Sequence, residues 1–398
     1  MGDSEFFLID FKKDQTPKLL VGLFIIARLM QFLSAPIEGL RGYGDFIHFF
    51  QLAALPGWPF INYWVEFPPL FPFISAVLYR LAGGQEHTYD YLLAFVLMAA
   101  DIGNLILFIK IATRLHSAQK SGGRILAYYT LLVALAYSWW YFDPLAVLAL
   151  LSGTYLLLEK KYVWAGFAFG AGLLIKLFPI LGLVLAWRTL SWKKASLISG
   201  ICLGSGVIIY GALMLMSPES TQASLISQSN KGSWETVWAL VDGNYRTGNF
   251  GPEIERLDAR NAAHSVGNSS RIPAWLTLPI FMAIGLWGFW KTRIIEERQG
   301  LALIGWTWCL FLLWSPGWSP QWILYLLPLV LLVFHQARAF LLSIVLVFIN
   351  LLEWPVLLSR GLFWSLNYTI LVRTLIIVLL AFLFFQEMTG TIYNKVKE

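Results

Sequence analysis

Charge is what this sequence has least of. Only 13% of its 398 residues are Asp, Glu, Lys or Arg and 58% are hydrophobic, whereas a soluble domain carries about 25% charged residues. Mean hydropathy is +0.65. That balance excludes a water-soluble globular chain, because apolar runs of about 20 residues, the length that crosses a bilayer, recur throughout. Cysteine is nearly absent. Cys202 and Cys309 both fall inside apolar runs, so neither a disulfide nor a metal cluster is expected. His48 and His264 stand apart with no ligand spacing. A glycine-rich phosphate loop is missing too, which argues against a Rossmann-type nucleotide site. The net charge of +6 is no nucleic-acid footprint, because the Lys and Arg residues sit in short loops where they orient helices. Nor does a small-residue cleavage site follow the apolar run Leu19–Leu33. With Lys12, Lys13 and Lys18 before it, that run is expected to be a retained first helix with its N-terminus inside.

What is abundant is aromatic: 19 Trp, 16 Tyr and 29 Phe, a supply suited to two interfacial belts. Apolar spans are expected at about 17–37, 89–112, 124–141, 144–158, 162–176, 177–190, 195–216, 273–290, 299–314, 320–335, 337–354 and 366–386. The stretch 67–82 decides the topology. Counting it as a span would put the loop carrying Arg114, Lys120 and Arg124 outside and invert all that follows. Leaving it out places those residues inside with Lys160, Lys161, Arg188, Lys193, Lys194, Lys291, Arg293, Arg298, Arg338, Lys395 and Lys397, as the positive-inside rule requires. The stretch 67–82 is therefore expected to be a juxtamembrane or re-entrant helix started by Pro68–Pro69. The expected fold is an all-α polytopic membrane protein of about twelve transmembrane helices. Residues 1–398 form a single integral membrane domain, with both termini cytoplasmic. Two long external loops, 38–90 and 217–272, carry most of the irregular chain, and function concentrates in such loops. No clear internal repeat is present, which counts against an inverted-repeat transporter.

Several residues could carry chemistry. Asp45 follows the first helix, beside Gly42 and Gly44. A carboxylate against apolar surface can act as a general base, and the same position suits a helix N-cap. Glu66 is either a site acid or an interfacial charge. Lys176 interrupts GAGLLIKLFPILGL, where a lone ammonium marks a function or snorkels to the interface. The helix pair around it is short on both sides and breaks at Lys176 and Pro179, a pattern that lines cavities rather than lipid. Asp143 precedes Pro144 in a capping arrangement. Gln321, in SPGWSPQW, opens a helix whose free N–H groups suit an anion. Arg246, in the second loop, is a phosphate partner or a solvated charge.

Three stretches in order carry a resemblance: Asp45 with the run Gly57–Leu70, the Lys176/Pro179 break, and Ser319–Leu329. Together they resemble the GT-C class of membrane glycosyltransferases. The nearest likeness is to the polyprenyl-phosphate-mannose-dependent mannosyltransferases of glycosyltransferase family 87 and to the GPI-type mannosyltransferases. The resemblance implies a GT-C-like fold with juxtamembrane helices in the first external loop. It implies an inverting hexosyltransferase of the cell (plasma) membrane, working on the external face and moving a hexose, with mannose the sugar implied. The donor would be a polyprenyl-phosphate sugar and the acceptor a lipid or glycan, in contact with membrane lipids and with no nucleic acid. It makes Asp45 the catalytic base, Lys176, Arg246 and Gln321 the donor-phosphate partners, and Tyr63, Glu66 and Asp143 substrate-binding residues. Relatives often carry an acidic pair in the first loop, whereas Gly-Tyr-Gly-Asp leaves Asp45 alone. No cofactor and no required metal are expected. The competing expectations are a lipid-linked oligosaccharide flippase or other transporter, which needs charges deep in several spans, and a non-catalytic scaffold. Within apolar runs, Lys176, Asp101 and Arg373 are the charges counted.

Overall fold

The computed structural model describes residues 15–245, 250–292 and 294–390. It is almost wholly helical. The helices are α1 (Gln15–Ser34), α2 (Ile37–Arg41), α3 (Phe46–Ala53), α4 (Leu70–Leu81), α5 (Glu86–Leu115), α6 (Ala118–Ala134), α7 (Tyr137–Trp140), α8 (Asp143–Leu158) and α9 (Tyr162–Ile175). There follow α10 (Leu183–Thr189), α11 (Trp192–Met216), α12 (Pro218–Ser229), α13 (Val237–Asp242), α14 (Ala274–Lys291), α15 (Glu297–Trp314), α16 (Ile323–Val333), α17 (Gln336–Leu351) and α18 (Leu366–Thr389). Short 3₁₀ turns join some of them, at Phe178–Gly182 and Pro320–Trp322 among others.

Every apolar segment expected as a span is helical. Among the described residues, however, only six helices are long and apolar enough to cross a membrane alone: Thr16–Ser34, Glu86–Leu115, Trp192–Met216, Ala274–Lys291, Gln336–Leu357 and Phe363–Thr389. Others are shorter for visible reasons. The segment 124–141 breaks after Ala134 into α6 and the four-residue α7. In α9, 14 residues reach about 21 Å at 1.5 Å per residue, less than the roughly 30 Å of a hydrocarbon core. Its end is imposed by Lys176, extended at φ −159° and ψ 142°, and by Pro179 in the 3₁₀ turn beyond. The stretch 67–82 forms α4, which starts straight after Pro68–Pro69 and packs on α3, α5 and α9.

α16 is the axis of the bundle. All eleven of its residues are buried, as suits a helix that is apolar all round. α14, with only Gly288 buried, shows its apolar surface outward, as a lipid-facing helix does.

The two ends of the bundle differ in chemistry. At one, arginines close helix termini: Arg114 reaches Glu159 and Glu297, both at 2.6 Å, and Arg124 donates to the carbonyls of Leu331 and Phe334. This is the end expected inside. At the other end the loops 38–90 and 217–272 dock on each other. Trp64 N–H donates to the Arg256 carbonyl at 3.1 Å, its indole N–H to the Asp258 carbonyl at 2.9 Å, and Val65 N–H to Ser224 Oγ at 3.0 Å.

Two buried ion pairs cross the bundle. Arg28, absent from the sequence count although it lies in Leu19–Leu33, is fully buried. Its guanidinium meets Asp101 at 3.2 Å, the Leu132 carbonyl at 2.7 Å and Ser138 Oγ at 2.6 Å. Arg373 pairs with Glu353. Neutralised pairs of this kind brace helices, where a transport pathway needs a run of exchangeable charge.

Candidate active site

The sequence Gly42-Tyr43-Gly44-Asp45 is pressed onto Trp140. A Cβ on Gly42, which has φ +50°, would lie 2.4 Å from the Trp140 ring, and one on Gly44 would lie 2.5 Å from the Trp140 carbonyl oxygen. Only glycine permits this approach. It lets Asp45 N–H donate to the Trp140 carbonyl at 3.1 Å, and it brings Asp45 to the chain three residues before Asp143.

Asp45 occupies the N-cap position of α3, but its side chain makes no capping hydrogen bond. The residue is partly exposed, and its carboxylate has no hydrogen-bond or ion-pair partner among the described residues. Burial raises its proton affinity above the ordinary carboxylate range, and Asp143 adds to the rise. The cations His48, Lys176 and Lys231 oppose it. A half-sheltered, unpartnered carboxylate is suited to accept a proton.

Opposite stands the broken helix. Lys176 Nζ lies 2.7 Å from Asp143 Oδ1, which also accepts from the Tyr325 hydroxyl at 3.0 Å. Asp143 is the first residue of α8, with Pro144 behind it, so the arrangement foreseen as a cap serves a cross-helix pair. The ammonium is ringed by Phe142, Phe178 and Trp322, at 5.1, 5.3 and 5.6 Å from their centroids. It is held by a carboxylate and three π faces, and it neither snorkels nor stands alone. Asp143 Oδ2 and Gln321 Oε1 are buried without a partner. Gln321 lies in the 3₁₀ turn that leads into α16.

One turn along α3 from Asp45, His48 clasps the two loops together. Its Nδ1 lies 2.7 Å from Glu253 and its Nε2 3.2 Å from Glu66, while Arg256 reaches Glu66 at 3.0 Å. Burial works against charge on His48, but the hydrogen bonds to Glu253 and Glu66 outweigh it and hold the imidazolium up to about 9. Burial is likewise overcome at Glu66, which His48, Arg256 and Lys231 keep well below the usual carboxylate range. Glu66 is thus an internal counter-ion.

Of the residues singled out from sequence, Asp45, Asp143, Lys176 and Glu66 come together at one end of the bundle. Tyr63 lies in a separate apolar cluster with Leu52, Leu55, Phe60, Val65 and Leu213, and Arg246 lies outside the described residues. His48, Arg256, Glu253, Lys231 and Tyr325 were missed. The Asp-x-x-His spacing at Asp45 and His48, which puts both on one helical face, was the one signal available. Among the described residues no group of three or more His, Cys, Asp or Glu side chains is placed to hold a metal ion.

The chain matches the model of glycosyltransferase family 87 over residues 64–316, well over half its length. It belongs to glycosyltransferase family 87. The matched stretch takes in Glu66, Asp143, Lys176, Lys231 and Arg256, and leaves Asp45 and Gln321 outside. Among solved structures, the chain is similar to the apo crystal structure of the Archaeoglobus fulgidus oligosaccharyltransferase, at 13% identity and a TM-score of 0.45. The similarity covers 95% of this chain and 56% of that one, so the chain spans little more than half the length of that protein. No curated protein sequence gives a significant match. As a family 87 member the protein is a membrane glycosyltransferase.

Proposed function

We propose that this family 87 glycosyltransferase moves a hexose, with mannose the sugar expected, from a polyprenyl-phosphate donor to a hydroxyl of a lipid or glycan acceptor on the external face of the cell membrane. Asp45 takes the proton of the acceptor hydroxyl as its oxygen attacks the anomeric carbon from the face opposite the phosphate. The bond from that carbon to the phosphate oxygen breaks, the configuration inverts, and polyprenyl phosphate leaves with the bonding electrons. A positioned base of this kind contributes about 10²–10⁴ in rate. Lys176, with Gln321 at the mouth of α16, offers positive charge and a hydrogen bond toward the leaving phosphate, and Arg246 remains a partner for the same group. Asp143 binds substrate through its free oxygen. Glu66 contributes by ordering the loops, and Tyr63 would line the substrate's apolar approach.

The observation that carries this reading is the state of Asp45: at an N-cap but not capping, partly exposed, raised in proton affinity and in the field of Lys176. The arginine-rich opposite end supports a cytoplasmic placement of that end and an external placement of the site. An activated donor is then lipid-linked, because nucleotide sugars are confined to the cytoplasm. The flippase alternative loses its support, since the buried charges Arg28, Asp101, Glu353 and Arg373 are paired in place. The test is transfer by purified protein from a panel of polyprenyl-phosphate sugars, with and without chelator. Turnover of one donor, unaffected by chelation, is expected. Turnover of nucleotide sugars alone would overturn the donor class.

A further inference from the structure

Around the docked loops the charges pair off. Lys176 is held by Asp143, His48 lies between Glu66 and Glu253, and Arg256 binds Glu66. Beside these pairs, two opposite charges close to the site have no such partner among the described residues. One is Asp45. The other is Lys231, whose ammonium makes no hydrogen bond or ion pair among the described residues and rests 5.0 Å over the Phe67 ring.

The strap that carries Lys231, between α12 and Trp234, is tied down on both sides. On one side Gln228 Nε2 donates to the Phe67 carbonyl at 3.4 Å. On the other, Trp234 N–H donates to the Pro316 carbonyl at 3.2 Å, and Trp318 N–H donates to the Trp234 carbonyl at 3.0 Å. The side chain is partly buried and lies in the field of Asp45, Glu66, Lys176 and Arg256. Burial and the two like charges disfavour its proton, Glu66 and Asp45 only partly offset them, and an incoming anion would relieve that cost.

We infer that Lys231 is a second anchor for the phosphate of the lipid-linked donor, joined to the Lys176 end of the site through Phe67 and Phe142, whose rings lie 5.3 Å apart, and that it supplies the unbalanced positive charge there while Asp143 balances that of Lys176. This inference rests on the donor class proposed above. A desolvated ammonium that meets a phosphate oxygen forms a charge-assisted hydrogen bond.

The experiment measures binding of polyprenyl phosphate, polyprenol and inorganic phosphate to the full chain in maltoside micelles, which contain no phosphate. Wild type, Lys231→Gln, Lys231→Arg and Asp45→Asn are compared. Lys231→Gln should weaken polyprenyl phosphate about ten- to hundredfold, the worth of a hydrogen bond to a charged group. It should leave polyprenol unchanged and raise the donor KM more than it lowers kcat. Lys231→Arg should restore most of the affinity, and Asp45→Asn, which removes a negative charge beside the site, should bind at least as tightly as wild type. Equal binding of polyprenyl phosphate by wild type and Lys231→Gln overturns the assignment, and so does a matching loss of polyprenol. Inorganic phosphate binding as tightly as polyprenyl phosphate would make the site one for free anions and overturn it as well. If wild type binds no polyprenyl phosphate, the donor class itself fails and this inference with it.

Discussion

The clasp at His48 makes the joining of the two loops depend on pH in a calculable way. In the folded protein its proton is held to about 9, against 6.5 for an ordinary histidine. At ~1.36 kcal/mol per pH unit, that difference is worth about 3 kcal/mol of coupling between the clasp and the proton. The folded affinity is raised, so the stabilisation is complete below pH 6.5 and fades as pH climbs through 9. Glu253 lies 205 positions from His48, which means that what fades is the seal between the loops, while the bundle beneath stays intact. Hydrogen exchange of purified protein, followed at residues 253–263 and at Trp64, reports that seal directly. In wild type the opening free energy there should fall by about 3 kcal/mol across the window. In His48→Gln it should start low and stay nearly flat. The reasoning is refuted if both proteins show the same pH dependence, or if the change appears equally in α16.

Gly44→Ala puts a Cβ 2.5 Å from the Trp140 carbonyl oxygen, so the loop must shift and carry Asp45 with it. A displacement of about 1 Å costs roughly 10²-fold in kcat, with donor binding retained, and unchanged turnover would show that the Trp140 contact does not position the base. Lys176→Ala strands the buried Asp143 with only Tyr325 beside it, a loss of about 3–5 kcal/mol visible as a fall in Tm, and it weakens donor binding more than acceptor binding. The double variant Lys176→Met/Asp143→Leu should recover the Tm without recovering the donor KM. Recovery of both would reduce the pair to a structural brace.

Much of this fold was legible in the sequence because membrane helices announce themselves locally. Run length placed the apolar segments and put the break at Lys176. Helix length was less legible, since α6 and α7 are divided at Leu135 within one continuous apolar run. The site was legible residue by residue but not as an arrangement. Lys176 and Asp143 lie 33 positions apart and His48 and Glu253 lie 205 apart, and no periodicity encodes such pairings. The same limit hid Arg28, whose partner Asp101 is 73 residues away on another helix. Asp45 is instructive in another way: its N-cap position was correct, and only the close approach of Gly44 to Trp140 shows that the carboxylate is left free of capping.

The central claim is that Asp45 is the base of a transfer from a polyprenyl-phosphate sugar. Its most direct test is transfer of labelled sugar by purified wild type and by Asp45→Asn, with polyprenyl phosphate affinity measured on both. The predicted result is turnover by wild type, loss of about 10²-fold or more in the variant, and no loss of affinity for polyprenyl phosphate. Turnover by Asp45→Asn at the wild-type rate would contradict it.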